Sequence, residues 1–213
     1  MALKSKKTVI MMPGLELPLF IVENVEELIT DLFDEDKIPL WAEIWPAARG
    51  LARYIWENVS FFGQSVLDLG SGLGMAGVVC GLKGARVTFS DYQEGALEMS
   101  RKNAVLNGIM DTRTHLGDWR SFDLGERFDW IVGSDILYDS RYHECLAGIF
   151  KSNTKENMGV IVSHPGRGPA FEFIKMWCEE TGSREEHVVV PVYIPDPVFP
   201  YYEIHVHKMT KPD

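Results

Sequence analysis

The sequence has few cysteines and no long apolar run. Among its 213 residues, Cys80, Cys145 and Cys178 lie far apart, with no CxxC pair and no histidine at zinc-ligand spacing beside them. This pattern disfavours disulfides and structural zinc. The apolar run at 9–12 ends at Pro13, too short for a signal-peptide core, and no stretch approaches the length that crosses a bilayer. We therefore expect a reducing compartment, most simply the cytoplasm, and no membrane attachment.

The chain is also poor in basic charge. Its 21 lysines and arginines face 31 aspartates and glutamates, giving a formal net charge of −10. Such a field repels phosphate backbones, so the composition disfavours a nucleic-acid partner and suits a cationic one. Hydrophobic residues at 46% and charged residues at 24% exclude a disordered chain. The length allows one domain with its own core, and no linker or composition shift divides residues 1–213.

The first 60 residues predict helices. A short helix is expected in the acidic segment, and an amphipathic helix is expected after Pro46, where proline suits the first turn. The apolar positions are Val25, Leu28, Ile29 and Leu32 in the first helix and Ala47, Leu51, Tyr54 and Ile55 in the second. We expect residues 1–60 to form a helical extension that contributes to the cofactor and substrate pocket, and residues 61–213 to form the core.

From Ser65 onward, strand and helix patterns alternate. SVLDLG, a glycine loop with a helical stretch, and ARVTFSD form a βαβ unit, and YQEGALEMSRKNAVLNG predicts the next helix. THLGDW, FDWIVGS and GVIVSHP predict further strands, with helices at HECLAGIFKSNTK and PAFEFIKMWCEETG. The tail predicts two antiparallel neighbours, EEHVVVPVYI and YYEIHVHKM. The pattern is typical of an α/β fold with a mostly parallel sheet, helices on both faces and an antiparallel pair at the C-terminal end.

The glycine loop after the first core strand permits two interpretations. A GxGxxG pattern begins at Gly72, and Asp91 follows 19 residues later, as in dinucleotide-binding dehydrogenases. The same loop is DLGSGLG when taken from Asp68, and a carboxylate there would repel a pyrophosphate but could hold an amino group. S-adenosylmethionine carries an amino group and a sulfonium, has no phosphate, and needs a close backbone approach at Gly70 and Gly72. We favour this cofactor over NAD.

Polar and aromatic residues follow the next strands. Asp91 could accept hydrogen bonds from ribose hydroxyls with either cofactor, and Tyr92 could cover an adenine face. Asp118 could accept from the adenine amine, and Trp119 could flank the ring. Each residue alone is more often a helix cap or a half-buried aromatic. Their order matters more, because ligands of open α/β sheets lie at the carboxyl ends of the strands.

Two further motifs carry a family resemblance. An Asp-x-x-Tyr motif runs from Asp135 to Tyr138 after FDWIVGS, and Trp45 begins a WPAA element upstream of the first core strand. With the glycine loop, the chain from about Pro39 to Tyr138 resembles the seven-stranded S-adenosylmethionine-dependent methyltransferases, and within them the Asp-x-x-Tyr protein-lysine methyltransferases. The resemblance implies a Rossmann-like, doubly wound, seven-stranded fold. It also implies that Trp45 and the backbone of Ser134 contact the cofactor, which leaves as S-adenosylhomocysteine.

The resulting expectations for the site combine residues and resemblance. The expected cofactor-binding residues are Trp45, Asp68, Gly70, Ser71, Gly72, Asp91, Tyr92, Asp118, Trp119 and Ser134. Methyl transfer to an amine moves positive charge from sulfur to nitrogen, so catalysis needs alignment and stabilisation of a cation. Asp135 would accept hydrogens of a neutral lysine nitrogen, and the face of Tyr138 would attract the developing ammonium. From spacing alone, a helix cap and a packing residue are equally open; the motif favours the catalytic roles.

The function predicted is N-methylation of a lysine side chain presented by another protein. A small-molecule amine, a protein's terminal amine, an NAD-dependent oxidoreductase and a partner-binding module without turnover stay as alternatives. His164 could accept a proton near neutral pH, but we expect it only to order its loop. His205 and His207 face one side of a terminal strand and lack a third ligand, so no metal site is predicted. Trp41 and Trp56 are expected to pack rather than to form an aromatic cage.

Overall fold

The chain begins with a β-hairpin instead of the expected helical extension. The structure is a computed structural model that describes residues 3–31, 34 and 37–211, with only the backbone at 157 and 158. Strand β1 (Ser5–Met12) pairs antiparallel with β2 (Leu15–Val22), and Gly14 in the turn has a φ of +74°. Leu17 and Leu19 alternate with less buried neighbours and are fully buried. This period of two is that of a strand with one face on the core.

The prediction of a helix from Val25 to Leu32 is wrong. Val25–Leu28 forms a single 3-10 turn, and Ile29 already has extended backbone angles; Leu32 lies outside the described residues. Asn24 makes no capping hydrogen bond through its side chain. Without that cap, the N–H groups of the first turn have no capping side chain as hydrogen-bond acceptor and gain no stability over hydration by solvent. The β-branched Ile29 also favours the extended conformation.

The core elements follow in the predicted order. They are α1 (Pro46–Asn58), β3 (Ser65–Leu69), α2 (Met75–Leu82), β4 (Arg86–Asp91), α3 (Glu94–Leu106), β5 (Thr112–Leu116), β6 (Phe128–Ser134), α4 (His143–Asn153), β7 (Thr154–His164), α5 (Gly168–Thr181), β8 (Arg184–Tyr193) and β9 (Tyr201–Thr210). The sheet order is β5-β4-β3-β6-β7-β9-β8; β9 is antiparallel to both of its neighbours, and the first five strands are parallel. The α/β fold with an antiparallel C-terminal pair is confirmed.

Helices cover both faces of this sheet, as predicted. One buried cluster joins the sheet to α1, α2 and α3, and a second joins it to α4 and α5. In α1, Pro46 occupies the first turn, and the predicted apolar face is buried, with Leu51 and Ile55 fully inaccessible. No helix in the described part of the chain is both long enough and apolar enough to cross a membrane.

Strand order determines where a site can form. The chain passes from β3 to β4 on one side and later returns to β6 on the other, so connections diverge between β3 and β6. In doubly wound sheets, ligands bind in the crevice beyond the carboxyl ends of the strands at this switch point. Ser163 at the end of β7 also donates a hydrogen bond to Ala47 at 2.9 Å. This bond holds the start of α1 over the same edge.

Candidate active site

A cavity of about 230 Å³ opens at this edge of the sheet. It lies between the ends of β3, β4 and β6 and the segment at 40–48 that leads into α1. All but two of the predicted site residues line it, namely Trp45, Gly70, Ser71, Gly72, Asp91, Tyr92, Trp119, Ser134, Asp135 and Tyr138. The structure therefore brings together residues from the ends of four strands, as the strand-end argument predicts, and from the segment that leads into α1. The two exceptions are Asp68 and Asp118.

The glycine loop makes close backbone contacts that a side chain would prevent. Gly70 and Gly72 have φ values of +66° and +51°. A Cβ on Gly72 would lie 3.0 Å from the carbonyl oxygen of Trp41, and one on Gly70 would lie 3.1 Å from the ring of Trp119. Between them, Ser71 lines the cavity, and its Oγ is buried without a hydrogen-bond partner among the described residues. A buried hydroxyl of this kind is a ready partner for a polar ligand.

Asp91 joins the second strand to this loop. Its Oδ2 accepts the Gly72 N–H at 2.9 Å, and its Oδ1 accepts the Gln93 N–H at 3.1 Å. Burial raises the pKa of the Asp91 carboxyl to about 6, although these backbone hydrogen bonds oppose the shift. The carboxylate that faces the cavity can therefore accept hydrogen bonds from ligand hydroxyls at neutral pH.

Asp68 lies beneath the glycine loop and does not reach the cavity. Its Oδ2 accepts the Gly77 N–H in α2 at 2.9 Å, and the residue is 2% exposed. Burial raises the pKa of the Asp68 carboxyl to about 7, and the charge of Asp91 adds to this effect. The carboxylate is thus engaged with the helix that follows the loop, and its contact with a ligand amino group stays a prediction.

Asp118 lies in a neighbouring groove rather than in the cavity. The groove, also of about 230 Å³, shares Tyr92, Trp119 and Tyr138 with the cavity. Arg120 forms hydrogen bonds with both oxygens of Asp118, at 2.9 Å for each from its Nε. This pairing lowers the pKa of the Asp118 carboxyl. The carboxylate is engaged within its own loop, which is why it does not extend to the cavity.

Asp135 has an unusual backbone and a paired carboxylate. Its φ of +54° is the only positive value at a non-glycine residue in the described part of the chain, and its N–H donates to the Ser163 carbonyl at 2.7 Å. Arg167 donates through Nε to Oδ1 at 2.6 Å and through a terminal nitrogen to Oδ2 at 2.7 Å. The Asp135 side chain is 10% exposed. The predicted catalytic carboxylate is thus held by two charge-assisted hydrogen bonds.

Arg167 is a cavity residue that sequence reasoning missed. It follows the end of β7 by three residues and lies at the same edge as the predicted site. The rule that strand ends carry ligand-binding residues could have found it. His164 Nδ1 accepts the N–H groups of Gly166 and Arg167 at 3.1 and 3.0 Å. The expectation that His164 orders its loop is confirmed.

Aromatic side chains form the outer wall. Tyr138 lines both the cavity and the groove, is 39% exposed, and packs edge-on against Tyr142 with ring centroids 6.5 Å apart. Burial raises the pKa of the Tyr138 hydroxyl to about 12, so the ring stays neutral. The Trp45 indole donates to the Leu40 carbonyl at 2.8 Å. Trp41, expected only to pack, also lines the cavity through the segment above Gly72.

Four histidines cluster beside the loop that carries Arg167, and none of them lines the cavity. The premise that His205 and His207 lack a third neighbour is wrong, since His187 of β8 lies opposite His207, and ring nitrogens of all three lie within 4.8 Å. His164 pairs with His207 at 3.0 Å, and His187 pairs with His205 at 2.9 Å. The His187 and His207 rings stack at 4.2 Å. In stacked rings the lone pairs of the nitrogens lie in parallel planes and do not converge on one position. In this arrangement the nitrogens therefore form hydrogen bonds.

Comparison with known proteins identifies the family of the chain. The model of a family described as lysine methyltransferase matches residues 27–178. A Caenorhabditis elegans electron transfer flavoprotein beta subunit lysine methyltransferase homolog is 30% identical over 152 residues, covering 63% of this chain and 62% of that protein. Protein N-lysine methyltransferase METTL21A of Xenopus tropicalis is 33% identical over 112 residues, covering 49% of this chain and 51% of that protein.

A third relative has a different printed name. The histidine protein methyltransferase 1 homolog of Dictyostelium discoideum is 30% identical over 122 residues, covering 54% of this chain and 40% of that protein. The alignments therefore span between 40% and 62% of the lengths of these three relatives.

Solved structures share the fold at low sequence identity. The N-methyltransferase NodS of Bradyrhizobium japonicum WM9, in complex with S-adenosyl-L-homocysteine, has a TM-score of 0.61 at 14% identity, over 90% of this chain and 93% of that one. Precorrin-6y C5,15-methyltransferase of Geobacter metallireducens GS-15 has a TM-score of 0.58 at 12% identity, over 88% and 92%. The doubly wound methyltransferase fold is confirmed.

Proposed function

The chain belongs to the lysine methyltransferase family, and from this premise we propose that it transfers a methyl group from S-adenosylmethionine to a lysine side-chain nitrogen of another protein. The observation that carries the proposal is one cavity that unites the glycine loop with both residues of the Asp-x-x-Tyr motif. The proposed compartment is the cytoplasm, which suits three cysteines that are all free in the structure.

The residues of the cavity fit this cofactor. A Cβ at Gly70 or Gly72 would crowd a neighbouring atom at 3.0 Å, and the Ser71 hydroxyl, unpartnered among the described residues, supplies a hydrogen-bonding group. Asp91 is positioned to accept hydrogen bonds from ribose hydroxyls, and Tyr92 offers an aromatic surface. We propose these residues, with Trp45, Trp119 and Ser134, as the cofactor site. Asp68 and Asp118 support it only indirectly. Bound S-adenosylmethionine would supply the methyl group and a sulfonium leaving group.

The chain's own contribution to the chemistry is alignment and charge. In the proposed reaction, the lone pair of the acceptor nitrogen would form the N–C bond, the electrons of the broken C–S bond would remain on sulfur, and one N–H proton would pass to water. Asp135 accepts a hydrogen bond from an N–H of the acceptor nitrogen and so orients the lone pair of that nitrogen. Tyr138 presents a ring face to the developing ammonium, a contact worth about 2 kcal/mol when desolvated. No strong base is required.

A second candidate acceptor is a histidine side chain. It is supported by the Dictyostelium relative, whose printed name is a histidine protein methyltransferase homolog. An imidazole is mostly neutral at pH 7, whereas a lysine amine is mostly protonated. The same alignment and aromatic wall would serve both nitrogens.

The test is transfer of labelled methyl from S-adenosylmethionine into an extract of the source cells. We expect label in discrete protein bands, its loss on protease treatment, and its absence with Asp135→Asn. The Asn variant retains a side chain that tolerates positive φ, so its backbone is preserved. Label confined to small molecules would overturn the protein acceptor. Calorimetric binding of NAD, without binding of S-adenosylhomocysteine, would overturn the cofactor and restore the oxidoreductase alternative.

A further inference from the structure

The carboxylate expected to meet the acceptor nitrogen is already occupied by a cation of the same chain. Arg167 grips both oxygens of Asp135, at 2.6 and 2.7 Å. Among the described residues that line the cavity, Arg167 is the only lysine or arginine, while Glu43, Asp91 and Asp135 are acidic. The guanidinium therefore has a defined partner at the position where the motif places the chemistry.

The loop that carries Arg167 is built to hold it there. His164 accepts the N–H groups of Gly166 and Arg167 through Nδ1 and is fully buried. Its Nε2 therefore carries the proton and donates to His207 at 3.0 Å, and His207 in turn donates through Nδ1 to Glu185 at 2.6 Å. Three strands thus brace one short loop. The braced loop thus places Arg167 beside an Asp135 side chain that is only 10% exposed.

The charge at Asp135 matters because an ammonium ion has no lone pair. In water near pH 7, only about one lysine amine in a thousand is unprotonated. A free carboxylate beside that amine would raise its pKa further and favour the unreactive form. A carboxylate paired with a guanidinium still accepts a hydrogen bond, but it presents little net charge to the entering nitrogen.

We propose that Arg167 is a positioning residue that neutralises Asp135, so that the acceptor nitrogen enters the site as a free amine. This inference rests on the proposed function and adds how the protonation state of the acceptor is selected. Arg167 acts through Asp135: it fixes the direction of the carboxylate and cancels its charge.

The test compares two ligands that differ in one charge. S-adenosylmethionine carries a sulfonium cation and S-adenosylhomocysteine does not, so the ratio of their affinities, measured by calorimetry, reports the charge near the transfer position. In Arg167→Gln, the side chain can still donate to Asp135, but the positive charge is gone. We expect the ratio to shift about tenfold toward S-adenosylmethionine, since a nearby carboxylate attracts the sulfonium.

Three further variants make the measurement specific. Arg167→Lys keeps the charge and should hold the ratio within about twofold of the wild type, since the Coulomb term is retained. Asp135→Asn combined with Arg167→Gln removes both charges and should return the ratio to the wild-type value. Arg113→Gln is the matched control, because Arg113 pairs with Glu126 at 2.9 Å on strand β5, outside the cavity.

The outcomes separate the two proposals. An unchanged ratio in Arg167→Gln, or a shift toward S-adenosylhomocysteine, would overturn the role of Arg167. A general loss of folding would lower the apparent affinities for both ligands by the same factor. The ratio of the two affinities would then stay unchanged, so a shift in this ratio is specific to the charge at the site. If the wild type binds neither ligand, the proposed function fails instead.

Discussion

At the residue scale, Asp135 combines a backbone constraint with a charge. A left-handed backbone costs an ordinary residue about 1–2 kcal/mol, and aspartate tolerates it better than most. The structure holds this conformation through the N–H donated to Ser163 at 2.7 Å and through the Arg167 pair. The motif residue is therefore directed by contacts from β7 and the loop after it. An observed strained residue in a cavity is itself a sign of function.

We predict that Gly72→Ala weakens S-adenosylhomocysteine binding at least about tenfold, since displacing the backbone by a fraction of an ångström misplaces several contacts at once. The new Cβ would lie 3.0 Å from the Trp41 carbonyl, on a backbone with φ of +51°. Gly63→Ala is the control: it has a φ of +74° with nothing within 4 Å. It should cost similar stability, about 1 kcal/mol, and leave the affinity intact. Equal affinity losses in both variants would contradict a specific role for the close backbone contact at Gly72.

From the raised pKa of Asp68 we predict a specific pH dependence of the protein's stability. Its carboxyl has a pKa of about 7 in the folded protein, against about 3.9 in an unfolded chain. The folded state therefore binds more protons between about pH 4 and 7, and the contribution of Asp68 to the free energy of unfolding falls as pH rises through that window. Asp68→Asn should remove this decline. The measurement is the melting temperature of both proteins from pH 4 to 8; parallel curves would contradict the prediction.

At the element scale, one asparagine joins the N-terminal hairpin to the glycine loop. Asn103 of α3 is fully buried; its amide donates to the carbonyls of Phe20 and Leu73 and accepts the Phe20 N–H at 2.6 Å. The hairpin is therefore attached to the helix that packs behind the site. Leu73 lies within the loop that forms the cavity wall.

We predict that Asn103→Ala lowers the free energy of unfolding by about 2–4 kcal/mol, because one buried and two partly buried backbone groups lose their partner. The matched control is Asn58→Ala, at an exposed residue whose amide donates to the Tyr54 carbonyl within α1. It should cost under about 1 kcal/mol. Urea unfolding gives both values, and hydrogen exchange should show faster opening around Leu73 in Asn103→Ala alone. Equal destabilisation of the two variants would rule out the joining role.

At the scale of the whole molecule, local sequence patterns predicted the helices and strands better than they predicted the contacts between them. The strand, glycine loop and helix order from Ser65 to His164 has clear periodicities, and it placed most of the cavity at the correct edge. The β-hairpin was missed because β1 buries only Ile10 and therefore shows little of the period-two alternation that marks a strand. Arg167 was missed because its partner is 32 residues away in sequence and no local pattern records that pairing.

The net charge of −10 bears on the acceptor as a whole. An acidic surface attracts a lysine-rich segment over a distance of about one Debye length, roughly 8 Å at physiological salt. In our proposal, long-range attraction of a protonated lysine and local neutrality at Asp135 are compatible, because the first would gather the substrate and the second would select the reactive form. The identity of the methylated nitrogen decides between the two proposed acceptors, lysine and histidine.

The most direct measurement is amino-acid analysis of protein labelled by this enzyme and S-adenosylmethionine, after complete hydrolysis and with Asp135→Asn as control. We predict that the label elutes as N-methylated lysine and is lost with the variant. Label in methylhistidine would transfer the proposal to the second acceptor. Label in neither amino acid, from a protein that binds S-adenosylhomocysteine, would contradict the account.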